Sequence, residues 1–145
     1  MDTSGIAVLL IDDDEEEYMV VRRYLEKARG APFDVAWVAT FEDALETMER
    51  GAHDVCLLDY RLGERTGIEL LERMRQRGLE TPVILLTGRG SLELDLEAME
   101  LGAFDYLDKA ELTPILLERS IRYALENYRA RAALRKANEE LESRV

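Results

Sequence analysis

Three apolar runs limit what this chain can fold into. They are IAVLLI at residues 6–11, DVCLLD at 54–59 and PVILLT at 82–87. Each is short, unbroken and rich in Val, Ile and Leu. A strand with one wet face alternates apolar and polar residues; an unbroken run fits a parallel strand covered on both faces. FDVAWVA at 33–39 and the shorter AFDYL at 103–107 supply two further strands.

Helical patterns fill the intervals. Residues 15–29 carry Tyr18, Val21, Leu25 and Ala28 on one face, with Gly30 as the stop. Thr40 followed by Asp43 reads as an N-cap with an acid at N3, opening a helix to about Arg50. Residues 67–77 carry Ile68, Leu71 and Met74 before Gly78, and residues 91–101 close at Gly102. Thr113-Pro114 is an N-cap followed by Pro at the first helical position, opening a long last helix. Strand and helix alternate five times with short connections, which specifies an α/β open sheet with right-handed crossovers. Ligands of such sheets bind beyond the carboxyl ends of the strands, where the strand order reverses.

The chain has 145 residues, suited to one domain that buries roughly 68–70% of its unfolded surface without a disulfide or metal staple. Its formal net charge of −12 argues against direct nucleic-acid binding, which depends on Lys and Arg neutralising phosphates. No apolar run approaches the ~20 residues of a membrane span. The start, MDTSGIAVLL, lacks a basic segment, so no signal peptide is expected. Cys56 is the single cysteine, and together these features predict a cytoplasmic protein with no membrane contact.

Against this background, the six consecutive acids of residues 12–17 require a reason. Asp12 and Asp13 end the first strand, Asp59 ends the third, Thr87 ends the fourth, and Lys109 follows the fifth. All fall at one edge of the predicted sheet. Converging carboxylates raise one another's pKa unless a cation relieves them. An all-oxygen set without His or Cys suits Mg²⁺ better than zinc. A metal, a lysine and a hydroxyl together suit a phosphoryl group, and one carboxylate could be its acceptor.

The order and spacing of IDDD, CLLDYRLG, ILLTG and FDYLDK resemble the receiver domain of two-component response regulators, over Ile6 to about Arg129. The resemblance implies a flavodoxin-like fold: a five-stranded parallel sheet in the order 2-1-3-4-5 with helices on both faces. It implies that Asp59 accepts a phosphoryl group from a sensor histidine kinase or phosphotransfer protein. It further implies that Asp13 and Asp59 ligate Mg²⁺ directly, Asp12 through water and Arg61 through its backbone carbonyl. Thr87 and Lys109 would contact the phosphoryl group, and Tyr106 holds the family's switch position. The side chains of Arg61 and Arg89 stand where the family tunes hydrolysis, with solvated surface arginines as the plain alternative. Such a domain assists its own phosphorylation and dephosphorylation but is not a dedicated enzyme.

Two departures stand out. Lys109 is followed by Ala110 instead of the family's frequent Pro, so a trans peptide is expected there. The loop YRLGERTG after Asp59 also lacks the usual Pro, leaving Gly63 and Gly67 to supply the turn.

Plainer roles are expected elsewhere. Asp14 to Glu17 should cap and line the first turn of a helix, where its dipole favours negative charge. Tyr106 has the alternative of a core tyrosine with a wet hydroxyl. Cys56, Trp37 and Met48 read as packing, and His53 as a solvated loop residue.

Two other functions compete. A Mg²⁺-dependent aspartyl-phosphate hydrolase would carry DxD after the first strand and an inserted cap domain; this chain has DDD and no room for a cap. A phosphorylation-independent adaptor would tolerate loss of an acid, the Thr or the Lys, and none is lost.

The division expected is a receiver domain at 1–129 and a helical extension at 130–145. Leu134, Asn138, Leu141 and Val145 follow a four-three-four step, a short coiled-coil seam with one polar position. The extension is expected to pair two copies in parallel and to lead to a further output module.

Overall fold

The apolar runs become β1 (Ile6–Ile11), β3 (Val55–Asp59) and β6 (Val83–Thr87) in the computed structural model, which describes residues 5–28, 32–88 and 92–143, the side chains of 92–95 excepted. Every residue of β3 and β6 is buried, as expected of strands covered on both faces. With β2 (Phe33–Val38) and β7 (Asp105–Asp108) they form one parallel sheet in the order β2-β1-β3-β6-β7. Counting these five strands along the chain, that is the expected order 2-1-3-4-5.

The two remaining strands were not anticipated. Arg61–Leu62 (β4) and Arg65–Thr66 (β5) form an antiparallel ribbon just after Asp59. Gly63 turns it with φ +63°, a conformation that penalises side chains. Gly67 serves a different end. A Cβ there would lie 2.8 Å from the Asp59 carbonyl oxygen and 3.2 Å from side-chain atoms of Leu58 and Leu85. Its missing side chain lets the loop close onto β3, and its N–H donates to the Tyr60 carbonyl at 2.6 Å.

Helices α1 (Glu15–Glu26), α2 (Phe41–Glu49), α3 (Gly67–Gln76), α4 (Leu92–Glu100) and α5 (Pro114–Ser143) cover the sheet. Alternate residues of each central strand feed opposite cores. Leu9, Ile11, Cys56, Leu58 and Leu85 pack under α2, α3 and α4. Val8, Leu10, Leu57, Ile84 and Leu86 pack under α1 and α5. Thr40 and Thr66 cap α2 and α3 by accepting from the N–H groups of Asp43 and Glu69.

Helix α5 runs for 30 residues without a break, or about 45 Å. Its buried residues stop at Leu125, and every described residue from 126 onward is exposed. The extension touches the body through Arg135, which donates to both carboxylate oxygens of Glu80 at 2.8 Å. Leu134 and Leu141, the expected seam, are 63% and 61% exposed. Gly30, Arg89 and Val145, which carried expectations above, lie outside the described residues. Among the described residues every peptide bond is trans, including Lys109–Ala110.

Candidate functional site

Parallel register brings the acids together. Ile11 pairs with Leu58 and Asp59 with Leu86, so Asp12 and Asp59 stand side by side one step beyond the hydrophobic sheet. Thr87 pairs with Asp108, which puts Lys109 just past the same edge. Asp13, Glu17, Asp59, Thr87 and Lys109 line one cleft of about 760 Å³, together with the Arg61 and Gly63 loop.

Asp12 is completely buried. Its Oδ1 accepts from the Asp14 N–H at 2.9 Å, while its Oδ2 is buried with no hydrogen-bond partner. Burial, then the nearby Glu17 carboxyl, pushes its pKa up to about 9. An orphaned carboxylate oxygen of this kind costs free energy unless a proton or cation reaches it. Behind it, the Trp37 indole N–H donates to the Asp12 carbonyl at 2.7 Å, and the Trp37 ring stacks on Tyr18 with centroids 4.9 Å apart.

Asp59 is 5% exposed, and its Oδ1 lies 2.6 Å from Lys109 Nζ. Burial raises the Asp59 pKa, and Lys109 works against that rise. For Lys109, burial alone would lower the pKa; Asp59 and Glu17 overcome this and raise it, so the ammonium stays charged. A 3₁₀ turn at Lys109–Glu111 presents the lysine, capped by Asp108, whose Oδ1 accepts from the Ala110 N–H.

Glu17 lines the first turn of α1 as expected, but its part in the cleft was not anticipated. Both its oxygens accept from Lys109 Nζ at 2.7 Å. The cause is local. Asp14 is the N-cap of α1 and Glu17 its N3 residue, the pair that usually closes a capping box by a bond from N3 back to the N-cap N–H. Here Asp12 already accepts from that N–H, so Glu17 is free to turn into the cleft. One oxygen each from Asp12, Glu17 and Asp59 lie within 4.8 Å of one another. Asp13, by contrast, is exposed and its Oδ2 accepts from the Gly63 N–H at 2.9 Å, tying the strand-one loop to the ribbon turn.

The other expected residues separate. Thr87 is 5% exposed, and its hydroxyl donates to the Leu107 carbonyl at a long 3.4 Å. Tyr106 is 39% exposed, turned outward and not packed in the core. The Arg61 side chain is exposed at the cleft mouth. His53 and Cys56 lie away from the acids. His53 is half-buried at the opposite edge of the sheet, and burial pushes the Cys56 thiol up to about 12.

The donor set fits Mg²⁺. Every candidate ligand is a hard oxygen, one of them buried and unpartnered, and the cleft is open enough to admit water. Asp12 and Asp59, with Glu17 or Asp13 beside them, are the residues that would hold it.

Fold and site together define a doubly wound α/β domain with an acidic, lysine-covered cleft at the carboxyl edge of its sheet. Residues 8–121 match the family model described as response regulator receiver domain, and the chain belongs to that family. It is 35% identical over 111 residues to the transcriptional regulatory protein DltR of Streptococcus agalactiae, covering 77% of this chain and 49% of that protein. It is 38% identical over 122 residues to the C4-dicarboxylate transport transcriptional regulatory protein DctD of Pseudomonas aeruginosa, covering 82% of this chain and 25% of that protein. The chain thus spans half or less of the length of these relatives. Among solved structures, it resembles the CheY-like response regulator receiver domain protein of Methanospirillum hungatei at TM-score 0.74 and 27% identity, covering 88% of this chain and 99% of that one. The signal receiver domain of an HD domain-containing protein from Pseudomonas fluorescens superposes at TM-score 0.78 and 25% identity, covering 92% and 96%.

Proposed function

We propose that this chain is a phosphorylation-dependent signalling switch whose acceptor is Asp59. The observation that carries the reading is the 2.6 Å approach of Lys109 Nζ to Asp59 Oδ1 in the acidic cleft, with the buried Asp12 close to Asp59 and Glu17. A carboxylate held this way can attack phosphorus. An Asp59 oxygen forms the new P–O bond, the P–N bond of a phosphohistidine breaks, and the imidazole keeps the electron pair. The donor is a sensor histidine kinase or a phosphotransfer protein.

Bound Mg²⁺ supplies charge neutralisation for the incoming phosphoryl oxygens. Asp12, Asp13, Asp59 and the Arg61 carbonyl are its proposed ligands. Lys109 then shifts from carboxylate to phosphoryl oxygen, and the Thr87 hydroxyl donates to another. Because the Thr87 bond to Leu107 is long, leaving it costs little. Tyr106, exposed on the adjoining strand, turns inward into the space Thr87 vacates. The Arg61 side chain at the cleft mouth tunes water access, a role Arg89 would share.

Residues 1–129 form the switch, and the α5 extension pairs two copies in parallel and leads toward an output module. The single cysteine, buried as a free thiol, accords with a reducing cytoplasmic setting. The direct experiment is to incubate the chain with Mg²⁺ and a small acyl phosphate and map the adduct by mass spectrometry. One phosphoryl group on Asp59, absent from Asp59→Asn, is the expected result. Labelling unchanged in that variant would refute the assignment.

A further inference from the structure

The acids closest to a common point are not the set the sequence suggests. Asp13 has one oxygen engaged by the Gly63 N–H and the other left to ligate, whereas Glu17 already offers an oxygen within 4.8 Å of oxygens from both Asp12 and Asp59. Beside it, the buried Asp12 Oδ2 has no partner. Side-chain rotation is enough to bring such a set within the ~4 Å that two oxygens on one Mg²⁺ can span. Glu17 is also the residue that holds Lys109 on its far side, through two bonds of 2.7 Å.

We propose that Glu17 is a mobile carboxylate that exchanges Lys109 for the bound divalent cation. Without the cation, Glu17 and Asp59 clamp the ammonium between them. When the cation arrives, Glu17 turns to join Asp12 and Asp59 around it, and Lys109 loses one of its two counter-ions. The lysine is thereby released toward an incoming phosphoryl oxygen only once the cation is in place. Freedom to turn comes from the capping arrangement: Glu17 has no bond to the N-cap, because Asp12 has taken that N–H. Asp14 holds the helix start independently by accepting from the Glu16 N–H, so the exchange need not unravel α1.

The inference rests on Mg²⁺ binding at the cleft, and its test separates the two. Trp37 is the only tryptophan, donates to the Asp12 carbonyl and stacks on Tyr18, the neighbour of Glu17. Its fluorescence therefore reports the site without any phosphorylation. Mg²⁺ is titrated into the full chain, into Glu17→Gln, and into Glu16→Gln, which removes the same charge from an exposed side chain one position away. Calorimetry provides the second reading.

Glu17→Gln should weaken Mg²⁺ binding by roughly tenfold or more, since loss of even an outer-shell partner of a metal site costs about that much. Glu16→Gln should change it by less than about twofold, through screened charge alone. The Lys109 ammonium resonance should move on Mg²⁺ addition in the unmodified chain and stay in place in Glu17→Gln. If the unmodified chain binds Mg²⁺ but Glu17→Gln binds it equally or more tightly, Glu17 is only a counter-ion to Lys109 and the exchange is wrong. If the unmodified chain binds no Mg²⁺, the metal reading of the cleft fails and the exchange fails with it.

Discussion

Lys109 Nζ lies 2.6 Å from Asp59 Oδ1, closer than to either oxygen of Glu17. The ammonium thus sits among the very carboxylates a divalent cation would use, and the two positive charges would compete. Replacing Lys109 by Ala should tighten Mg²⁺ binding by roughly tenfold, after allowing for solvent screening at a partly exposed group. The same variant should fail to pass the effect of phosphorylation to the rest of the fold. Calorimetry checks the first part; unchanged or weaker Mg²⁺ binding would show that Lys109 does not oppose the cation.

Gly67 makes a stability prediction independent of the chemistry. A Cβ at this position meets the Asp59 carbonyl oxygen at 2.8 Å, and a backbone atom inside a buried parallel strand cannot step aside. Gly67→Ala should cost about 1–3 kcal/mol, the usual range for overpacking. The urea midpoint gives the answer, and a change below about 0.5 kcal/mol, typical of neutral surface positions, would mean the loop has slack.

Much of this was legible in the sequence, for identifiable reasons. Strands such as Val55–Asp59 and Val83–Thr87 announce themselves because burial on both faces demands unbroken apolar runs. Asp12, Asp59, Thr87 and Lys109 were placed at one edge because parallel register aligns strand ends. The ribbon at Arg61–Leu62 and Arg65–Thr66 was not legible: two polar-rich dipeptides carry no periodicity, and Asp13 helps to fix its turn from far along the chain. Glu17 was missed because an acid three residues after an Asp N-cap reads as helix capping. Only the position of Asp12, already bonded to the N-cap N–H, diverts it into the cleft. The signal was present as Asp12 lying two residues before the cap, but a pairing rule confined to the helix does not see it.

Cys56 supplies the pH prediction. Burial holds its thiol protonated to about 12, against 9.0 for a free thiol. The unfolded chain therefore loses this proton first as pH rises through 9, so the native state binds more protons between those values and stability falls with pH there. The loss is about 1.4 kcal/mol per pH unit in that window. Below pH 9 the contribution is constant. Urea midpoints of the chain and of Cys56→Ala at pH 7.5, 9 and 10 should converge as pH rises, and parallel pH trends would contradict the burial of the thiol.

Tyr106 and Thr87 make the switch testable. Thr87 is bonded weakly to Leu107, and Tyr106 is 39% exposed on the same edge strand. A phosphoryl group adds about −1.5 to −2 charge beside Lys109 and Thr87. Moving a population from 1:99 to 99:1 needs roughly 5.5 kcal/mol of differential stabilisation, which several charge-assisted contacts can supply and one exposed contact cannot. Phosphorylation should shift the amide resonances of Ala98–Tyr106 and reduce quenching of Tyr106 by solvent probes. Shifts confined to the Asp59 loop would refute propagation to this face.

The α5 extension makes the last prediction. Beyond Leu125 the helix leaves the body, secured to it by the exposed Arg135–Glu80 pair, which solvent screens. Leu134 and Leu141 are more than half exposed on the seam that also carries Asn138. Two such helices laid in parallel bury both leucines and set Asn138 against its mate, which favours two strands in register. The seam is short, so the expected dimer is weak, detectable by light scattering only as concentration rises. Leu134→Glu with Leu141→Glu, on the exposed face of the helix, should leave the fold intact and the chain monomeric throughout. An unmodified chain that stays monomeric, or a double variant that dimerises equally, would exclude the extension as the element that pairs two copies.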